Sequence, residues 1–338
     1  MNIAIDEAKK ATDIVYPNPK VGCIIVQNGE IVSSGYHNKF GGPHAEVEAI
    51  NNCNITLDKA TMYVTLEPCN HQGKTPPCTE LIDSQKFKRI VIASKDPNPI
   101  INEGLKALIE KGLKVDFNIC EDEAKFINKR FFTFHDKKRP YVILKYASTL
   151  DGYISEVNGH SKWITSKKSR HSAHLLRSTC DAILVGRKTI EADNPSLTSH
   201  NIGPDPRIVI LDPSKKIKDN YRALNKNSIH LTNELSAKNP EDNIQTVLKK
   251  LHSLNIQSVI VEGGARTFTS FIDHGVFDEM HVYYAPKLIG KGKSIYNTKK
   301  KIHDSLNLEI AKHENFDNDI KITSVSYTHL TLPTILLV

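Results

Sequence analysis

An α/β protein of two domains is the fold class predicted by three features of the sequence. Short apolar runs of strand length alternate with helical segments along nearly the whole chain. The 338 residues exceed what one typical core organises. Near the middle, a charged stretch, Asp136-Lys137-Lys138-Arg139 closed by Pro140, interrupts the alternation and marks a boundary between domains 1–139 and 140–324.

Composition narrows the function classes. A hydrophobic content of 39% with 25% charged residues supports an ordinary folded core and excludes a disordered chain. No apolar run is long enough to cross a membrane and no signal peptide precedes Met1, so a cytoplasmic location is expected. Six cysteines, two of them beside a histidine motif, fit a reducing compartment and a metal ion better than a disulfide framework. The net charge of +7 is spread along the chain, and no lysine or arginine run is interleaved with aromatic residues as a single-strand platform requires. The expected partner is a small molecule with anionic groups, not nucleic acid or a membrane.

In the first domain a helical rhythm over residues 2–12 offers Ile5, Ala8 and Ala11 to one face. Tyr16-Pro17-Asn18-Pro19 breaks it into an extended turn, where Asn18 either reads the donor and acceptor edge of a ring or serves the turn alone. A strand at 21–26 and the pair Asn28-Gly29 predict a hairpin into Ile31-Val32. After Gly41-Gly42-Pro43, residues 45–50 read as a helix with His44 and Glu46 at its first turn, where the positive end of the helix dipole favours anions. A strand at 62–66 delivers Glu67 and Cys69 at its carboxyl end, and a helix opens over 78–84. Strands at 90–93 and 114–119 flank a helix at 103–111, with Asp96 in the intervening turn as loop or pocket wall. A helix over 121–134 closes the domain.

His44, Cys69 and Cys78 are soft or borderline ligands, enough to hold one zinc ion per chain with the fourth position left to water. Water in that position loses several pKa units. Glu46 stands two residues from His44, close enough to exchange protons with the water without ligating the metal. His-x-Glu followed by Pro-Cys is the signature of zinc nucleobase deaminases, except that eight residues separate Cys69 and Cys78 where the signature has two. Gly73 and Pro76-Pro77 supply the turn chemistry that returns the second sulfur to the first. Cys23, Cys53, Cys120 and Cys180 read as small packing residues.

The second domain carries strand patterns at 141–147, 182–185, 207–211, 258–261 and 280–285, with helical segments between several of them. A Rossmann G-x-G-x-x-G is absent, which excludes a classical dinucleotide fold. Instead Glu262-Gly263-Gly264-Ala265-Arg266-Thr267 follows a strand and precedes an apolar helix over 268–273. In that order paired glycines and helix-start amides accept a phosphate, although the glycines alone also suit a tight turn.

The stretch LEPCNHQGKTPPC resembles the deaminase half of the bifunctional riboflavin-biosynthesis deaminase/reductase family. LKYASTLDG (144–152), SKWIT (161–165), LLRSTCDAILVGRKTIEADNPSLT (175–198) and VEGGART (261–267) resemble its reductase half. The resemblance implies a cytidine-deaminase-like three-layer domain followed by a dihydrofolate-reductase-like domain. It implies zinc-dependent deamination of 2,5-diamino-6-(5-phosphoribosylamino)pyrimidin-4(3H)-one to the aminouracil, then NADPH-dependent reduction of the ribosyl to the ribityl chain. It puts Asn18 in the pyrimidine pocket and Asp96 near the deaminase site. Position by position it assigns Ser161, Arg177, Leu197, His200 and Glu262 to the substrate. To NADPH it assigns Ala147, Trp163, Thr189, Asp193 and the run Gly264, Ala265, Arg266, Thr267, Phe268, Thr269 and Ser270.

Several of these residues keep two readings. Lys145 joins Glu262 as a candidate for proton handling or substrate orientation. Arg177 suits a forked clamp on a ribose phosphate or an exposed helix face. Trp163, the sole tryptophan, presents its ring to a flat ligand or anchors a core. His200 stands where many family members have a phosphate-binding arginine, so either it makes a weaker contact or another base substitutes, with Arg207 next downstream, and Ala11 and Asp13 replace glycines expected before Pro17. A homo-oligomer is also expected. Residues 325–338 read as a non-native extension, against the competing reading of a native apolar strand that finishes the sheet. Two rival functions stand beside the main one: a nucleoside or tRNA deaminase with a non-catalytic second domain, and a zinc-stabilised interaction protein whose metal is closed by a fourth ligand such as His71.

Overall fold

The first apolar segment places Ala4, Ile5 and Ala8 at helical spacing, and it forms α1 (Asn2–Lys9) with all three buried. The structure, a computed structural model, describes residues 1–326 apart from 74, 100–102, 219, 237–242 and 297–301. The chain folds as two compact units, Met1–Lys137 and a second that begins at Lys138.

In the first unit β1 (Gly22–Gln27) and β2 (Glu30–Tyr36) form the hairpin signalled by Asn28-Gly29. Both turn residues have positive φ, 55° and 85°, the backbone that a tight type I′ connection demands and that Asn-Gly adopts at low cost. There follow α2 (Ala45–Asn51), β3 (Ala60–Val64), α3 (Cys78–Leu81), β4 (Phe87–Ile92), α4 (Gly104–Glu110) and β5 (Lys114–Asp116). The sheet order is β2-β1-β3-β4-β5, with β1 antiparallel to both neighbours and β3, β4 and β5 parallel. Helices cover both faces. Gly22 lies against α1, where a Cβ would stand 2.1 Å from the Ala4 carbonyl oxygen, and Gly35 lies against α2, 2.4 Å from the Ala49 nitrogen. The core on the α2 side gathers Cys23, Ile25, Ala45, Ala49, Met62, Val64, Ile90 and Leu108.

The expected single helix over 121–134 is two, α5 (Glu121–Ile127) and α6 (Lys129–Asp136), broken at Asn128. The Asn128 amide closes both hydrogen bonds of the Lys20 backbone, accepting from its nitrogen and donating to its carbonyl, each at 2.8 Å. A side chain that competes for backbone partners in this way ends a helix that periodicity alone would continue. Helix α3 is also a single turn and stops at Leu81, because the Asp83 carboxylate accepts from the Gln85 and Lys86 nitrogens and starts a turn.

The second unit contains β6 (Tyr141–Thr149), β7 (Tyr153–Ser155), α7 (Lys167–Ser178), β8 (Ala182–Gly186), α8 (Arg187–Asp193), β9 (Arg207–Leu211) and β10 (Ile229–Leu231). It continues with α9 (Asn243–Ser253), β11 (Ser258–Val261), α10 (Ala265–Asp273), β12 (Glu279–Ala285), β13 (Lys293–Ser294), β14 (Leu308–Phe316) and β15 (Asp319–Ser326). Eight strands run in the order β10-β9-β8-β11-β6-β12-β15-β14, parallel from β10 to β12, with β15 antiparallel to β12 and β14. Central strands β8, β11 and β6 are buried apolar runs, as a parallel sheet covered on both faces requires. Strand β14 is mostly exposed and polar, so no apolar pattern announced it. The expected extension 325–338 begins inside a strand. Val325 pairs with Glu279 and Ser326 with Leu308, so both belong to β15, and 327–338 lie outside the described residues.

Because Gly35 lets α2 rest on β2, Gly35→Ala drives a methyl into the backbone that presents His44 and Glu46. Urea unfolding of this variant is expected to show a loss of about 1–3 kcal/mol. An unchanged midpoint would mean that α2 is not seated on that strand.

Candidate active sites

The sequence around 44–46 places a histidine at the cap of α2, and the structure brings it to two thiols. His44 precedes the first turn of α2 with extended backbone, Cys69 lies in the loop after β3, and Cys78 opens α3. His44 Nδ1 is 3.2 Å from Cys78 Sγ and 3.5 Å from Cys69 Sγ, and the three ligand atoms all lie within 4.8 Å of one another. A tetrahedral zinc with ordinary Zn–S and Zn–N lengths separates such atoms by about 3.6 Å, so the donor set fits that ion in type and spacing. His44 Nε2 faces Thr75 Oγ1 at 3.4 Å, and the Cys78 backbone nitrogen donates to Cys69 Sγ at 3.4 Å. These partners orient the ligands from outside. The hydrogen bond from Cys78, then that from His44, lowers the Cys69 thiol well below its ordinary range, while the same contact pushes Cys78 up; a bound cation would favour the thiolate of both.

Glu46, on the first turn of α2, is 4% exposed and touches the Cys78 thiol. Burial raises its carboxyl above the ordinary glutamate range, toward the neutral pH at which a proton carrier works best. His71 is not part of the ligand cluster among the described residues, so the fourth-ligand rival gains no support from the geometry.

Asn18 reaches the same place through a residue that the sequence did not single out. Its Nδ2 is 3.1 Å from His37 Nε2, and His37 Nδ1 is 2.8 Å from the Pro43 carbonyl oxygen. The carbonyl can only accept, so His37 carries its proton on Nδ1 and receives the Asn18 amide on Nε2. Burial lowers the His37 pKa and keeps it neutral, and its ring meets that of His44 edge-on at 5.5 Å. A lone histidine in a loop carries no spacing signal, which is why this one was missed. His71 Nδ1 is buried without a hydrogen bond beside the same motif loop. Asp96 lies behind the metal ligands. Burial, then the neighbouring Glu67, pushes its carboxyl up to about 7, and Glu67 accepts from the Asp96 and Leu105 nitrogens at 3.2 and 2.8 Å. Glu67 thus pins a loop.

In the second unit the carboxyl ends of the parallel strands gather most of the expected residues. Arg177 from α7 grips Glu262 with Nε and Nη2 at 2.7 and 2.8 Å, and Lys145 from β6 reaches the same carboxylate at 3.5 Å. Burial opposes the charge, but Arg177 and Lys145 hold the Glu262 carboxyl at about 2. The Arg177 fork, expected to face a phosphate, is therefore closed on a carboxylate, with Nη1 on the Thr198 carbonyl at 3.0 Å. The turn after β11 and the turn after β8 nearly touch. A Cβ on Gly263 would stand 2.7 Å from the Gly186 nitrogen, and one on Gly264 3.5 Å from Thr189 Oγ1. Trp163 is 65% exposed, which removes the core-anchor reading, and Arg170 covers its ring at 4.1 Å.

Of the other expected residues, two side chains are buried and three are not. Phe268 is 1% exposed with its ring against Tyr146, so only its backbone faces the turn, because the α10 face that carries it must fill the core. Leu197 is 4% exposed in the opposite core cluster, held there with φ of 56°. Asp193 is exposed at the end of α8, Ser161 is half-buried between β7 and α7, and Ala147 lies in β6 opposite Tyr283.

Residues 1–94 match the cytidine and deoxycytidylate deaminase zinc-binding region, and residues 140–322 match the RibD C-terminal domain. The chain is 42% identical to the riboflavin biosynthesis protein RibD of Aquifex aeolicus (strain VF5), across 95% of this chain and 96% of that one. It is 37% identical to the protein of the same description from Bacillus amyloliquefaciens, across 96% and 95%. Among solved structures it is similar to a diaminohydroxyphosphoribosylaminopyrimidine deaminase/5-amino-6-(5-phosphoribosylamino)uracil reductase of Thermotoga maritima. That likeness has 38% identity and a TM-score of 0.82, across 96% of this chain and 97% of that one. Acinetobacter baumannii RibD superposes over the same shares with a TM-score of 0.84 at 32% identity.

Glu262 is one buried carboxylate between two cations, so Glu262→Gln is expected to lower stability by about 3 kcal/mol or more. Its carboxyl sits below the unfolded value near 4.3, so the contribution is present above that pH and is lost as pH falls toward 2. Urea unfolding from pH 7 down to pH 3 checks this. The gap between wild type and variant should narrow with acid, and a constant gap would contradict the ion-pair origin.

Proposed function

The chain belongs to the RibD family of riboflavin-biosynthesis proteins, and from that premise we propose how its residues divide the work. It is a bifunctional deaminase and reductase of riboflavin biosynthesis, with a zinc-binding deaminase region followed by the reductase domain. The rival reading of a nucleoside or tRNA deaminase with an inert second half is set aside, because the similarity runs through residues 140–322.

The deaminase substrate is 2,5-diamino-6-(5-phosphoribosylamino)pyrimidin-4(3H)-one. His44 through Nδ1, with the Cys69 and Cys78 thiolates, would hold one zinc ion per chain. When bound, zinc supplies a Lewis acid that brings the pKa of a water down to near neutrality. Glu46 takes one proton of the attacking water on a carboxylate oxygen and delivers it to the ring nitrogen, then takes the remaining proton of that oxygen and delivers it to the amine, which leaves as ammonia as the carbonyl forms. Its burial, which raises the carboxyl, supports that two-way traffic. Asn18, steadied by neutral His37, keeps its Oδ1 and second N–H for the pyrimidine edge. The observation that carries this half is the convergence of three ligand atoms beside a buried glutamate two residues from one of them.

For the reductase we propose NADPH as the nicotinamide cofactor. When bound it supplies a hydride to the anomeric carbon of the ring-opened sugar, giving the ribityl chain. The close-packed turns at Gly186 and Gly263, with Thr189, Asp193 and the backbone from Gly264 to Ser270, would cradle its phosphates, and Ala147 and the exposed Trp163 would border its rings. Glu262 orients the substrate, with Ser161, Leu197 and His200 nearby. Arg177 fixes Glu262 as an ion, and Lys145 is positioned to donate a proton. The thiol ligands must stay reduced, which supports a cytoplasmic enzyme.

Glu46→Gln is expected to cut ammonia release by about a hundredfold or more, with zinc still stoichiometric by elemental analysis and reduction of supplied aminouracil intact. Arg177→Ala is expected to do the reverse, weakening NADPH oxidation and sparing ammonia release. Equal loss of both activities in either variant would refute the assignment of separate sites.

A further inference from the structure

The two cysteines of the metal cluster are separated by eight residues, and the chain between them does not by itself fix the distance between their sulfurs. With a spacing of two, a single helical turn would set that distance. An excursion of eight residues, fully extended, lets its ends stand about 30 Å apart. Gly73 and the prolines at 76 and 77 reverse the chain, but a reversal sets a direction and not a close spacing. Contacts outside the covalent path must therefore hold Cys69 against Cys78.

Three hydrogen bonds do this, and they join consecutive residues on both sides. Cys69 lies in the loop after β3, and Cys78 opens α3, whose first-turn N–H groups have no partner within the helix. The Cys78 nitrogen donates to Cys69 Sγ at 3.4 Å, and the Thr79 nitrogen donates to the Cys69 carbonyl oxygen at 3.2 Å. Thr79 Oγ1 donates to Asn70 Oδ1 at 2.7 Å, the shortest of the three and the one made between two side chains. Asn70 and Thr79 are the residues that immediately follow the two cysteines.

Thr79 is 1% exposed, and each of its polar groups is engaged. Its carbonyl accepts from Lys111 Nζ, which also reaches the Ile82 carbonyl at 3.5 Å and so ties down the far end of α3. A hydroxyl buried to this degree costs free energy without a partner, and Asn70 supplies one from the exposed side of the loop.

We infer that Asn70 and Thr79 form a clasp that sets the separation of the Cys69 and Cys78 sulfurs and so governs how firmly the cluster retains zinc. The clasp rests on the zinc reading above and adds residues that position its ligands. Neither side chain belongs to the ligand cluster, and each acts through the backbone of the cysteine beside it. Closing the excursion at its mouth keeps a detached thiolate within reach of the metal, where recapture outruns escape of the ion. With the mouth open, Cys78 moves with α3 away from Cys69, and the ion leaves before the sulfur returns.

The test is zinc release from the zinc-loaded full chain, followed with an excess of a chromogenic chelator at neutral pH without denaturant. Thr79→Val keeps the side-chain outline and removes the donor, and it is expected to release zinc about tenfold faster than wild type. Asn70→Ala, an exposed change, should release it about as fast as Thr79→Val. Thr79→Ser restores the hydroxyl and should return release to nearly the wild-type rate. The double variant Asn70→Ala/Thr79→Val should be no faster than either single one, because both substitutions remove the same bond. Independent effects would instead multiply to about a hundredfold, and that result would overturn the clasp. So would wild-type release from Asn70→Ala, or release from Thr79→Ser as fast as from Thr79→Val. The exposed position of Asn70 keeps the measurement decisive even where Thr79→Val fails to fold. A wild type that takes up no stoichiometric zinc would overturn the zinc reading and the clasp together, whereas full zinc content with unaltered release in the variants would overturn the clasp alone.

Discussion

Two cysteine sulfurs and an imidazole held within 4.8 Å of one another are three soft or borderline donors aimed at one point, and only close packing of the elements that carry them assembles such a cluster. Much of the first unit answers that constraint. Glycine at position 35 lets α2 press onto β2 and bring His44 and Glu46 to the sheet end. Gly104 lies so close to Pro68 that no Cβ fits, and Glu67 ties the Asp96 and Leu105 backbones to the loop that bears Cys69. A carboxylate beside a zinc ion held there then gains a task, and the burial of Glu46 fits it to carry protons.

The second unit solves a different problem by similar means. A parallel sheet directs its strand ends to one edge, and close contact between the turns after β8 and β11 requires glycine at 263. Glu262 then stands between Arg177 and Lys145, and the strong pull on its carboxyl makes it a fixed ion. One carboxylate against two cations leaves the edge positive, which suits a phosphorylated substrate and a dinucleotide alike.

Much of this was legible in the chain. Asn28-Gly29 announced its hairpin, and the alternation of apolar runs located nearly every central strand, because buried parallel strands have few sequence solutions. The cluster of His44, Cys69 and Cys78 was legible because a metal site restricts residue type as well as spacing. The errors have identifiable causes. Asn128 broke a helix by capturing Lys20, a partner more than a hundred residues away. Strand β14 has little apolar signal, and the strand that reaches Ser326 is recognised only once β12 and β14 pair with it. Phe268 fell inside a motif at a position whose side chain fills the core, a placement that the motif does not announce.

By itself the sequence determined the α/β class, the two-part organisation and the membership of the His44, Cys69 and Cys78 cluster, because each is written in local periodicity or in short spacings. Tertiary structure alone decided the partners. It set His37 behind Asn18, closed the fork of Arg177 on Glu262 instead of leaving it open, exposed Trp163, and stacked His174 on His200. Such pairings join residues distant in the chain, and their energies depend on burial and on neighbouring charge. Those quantities exist only once the sheet and its loops have packed.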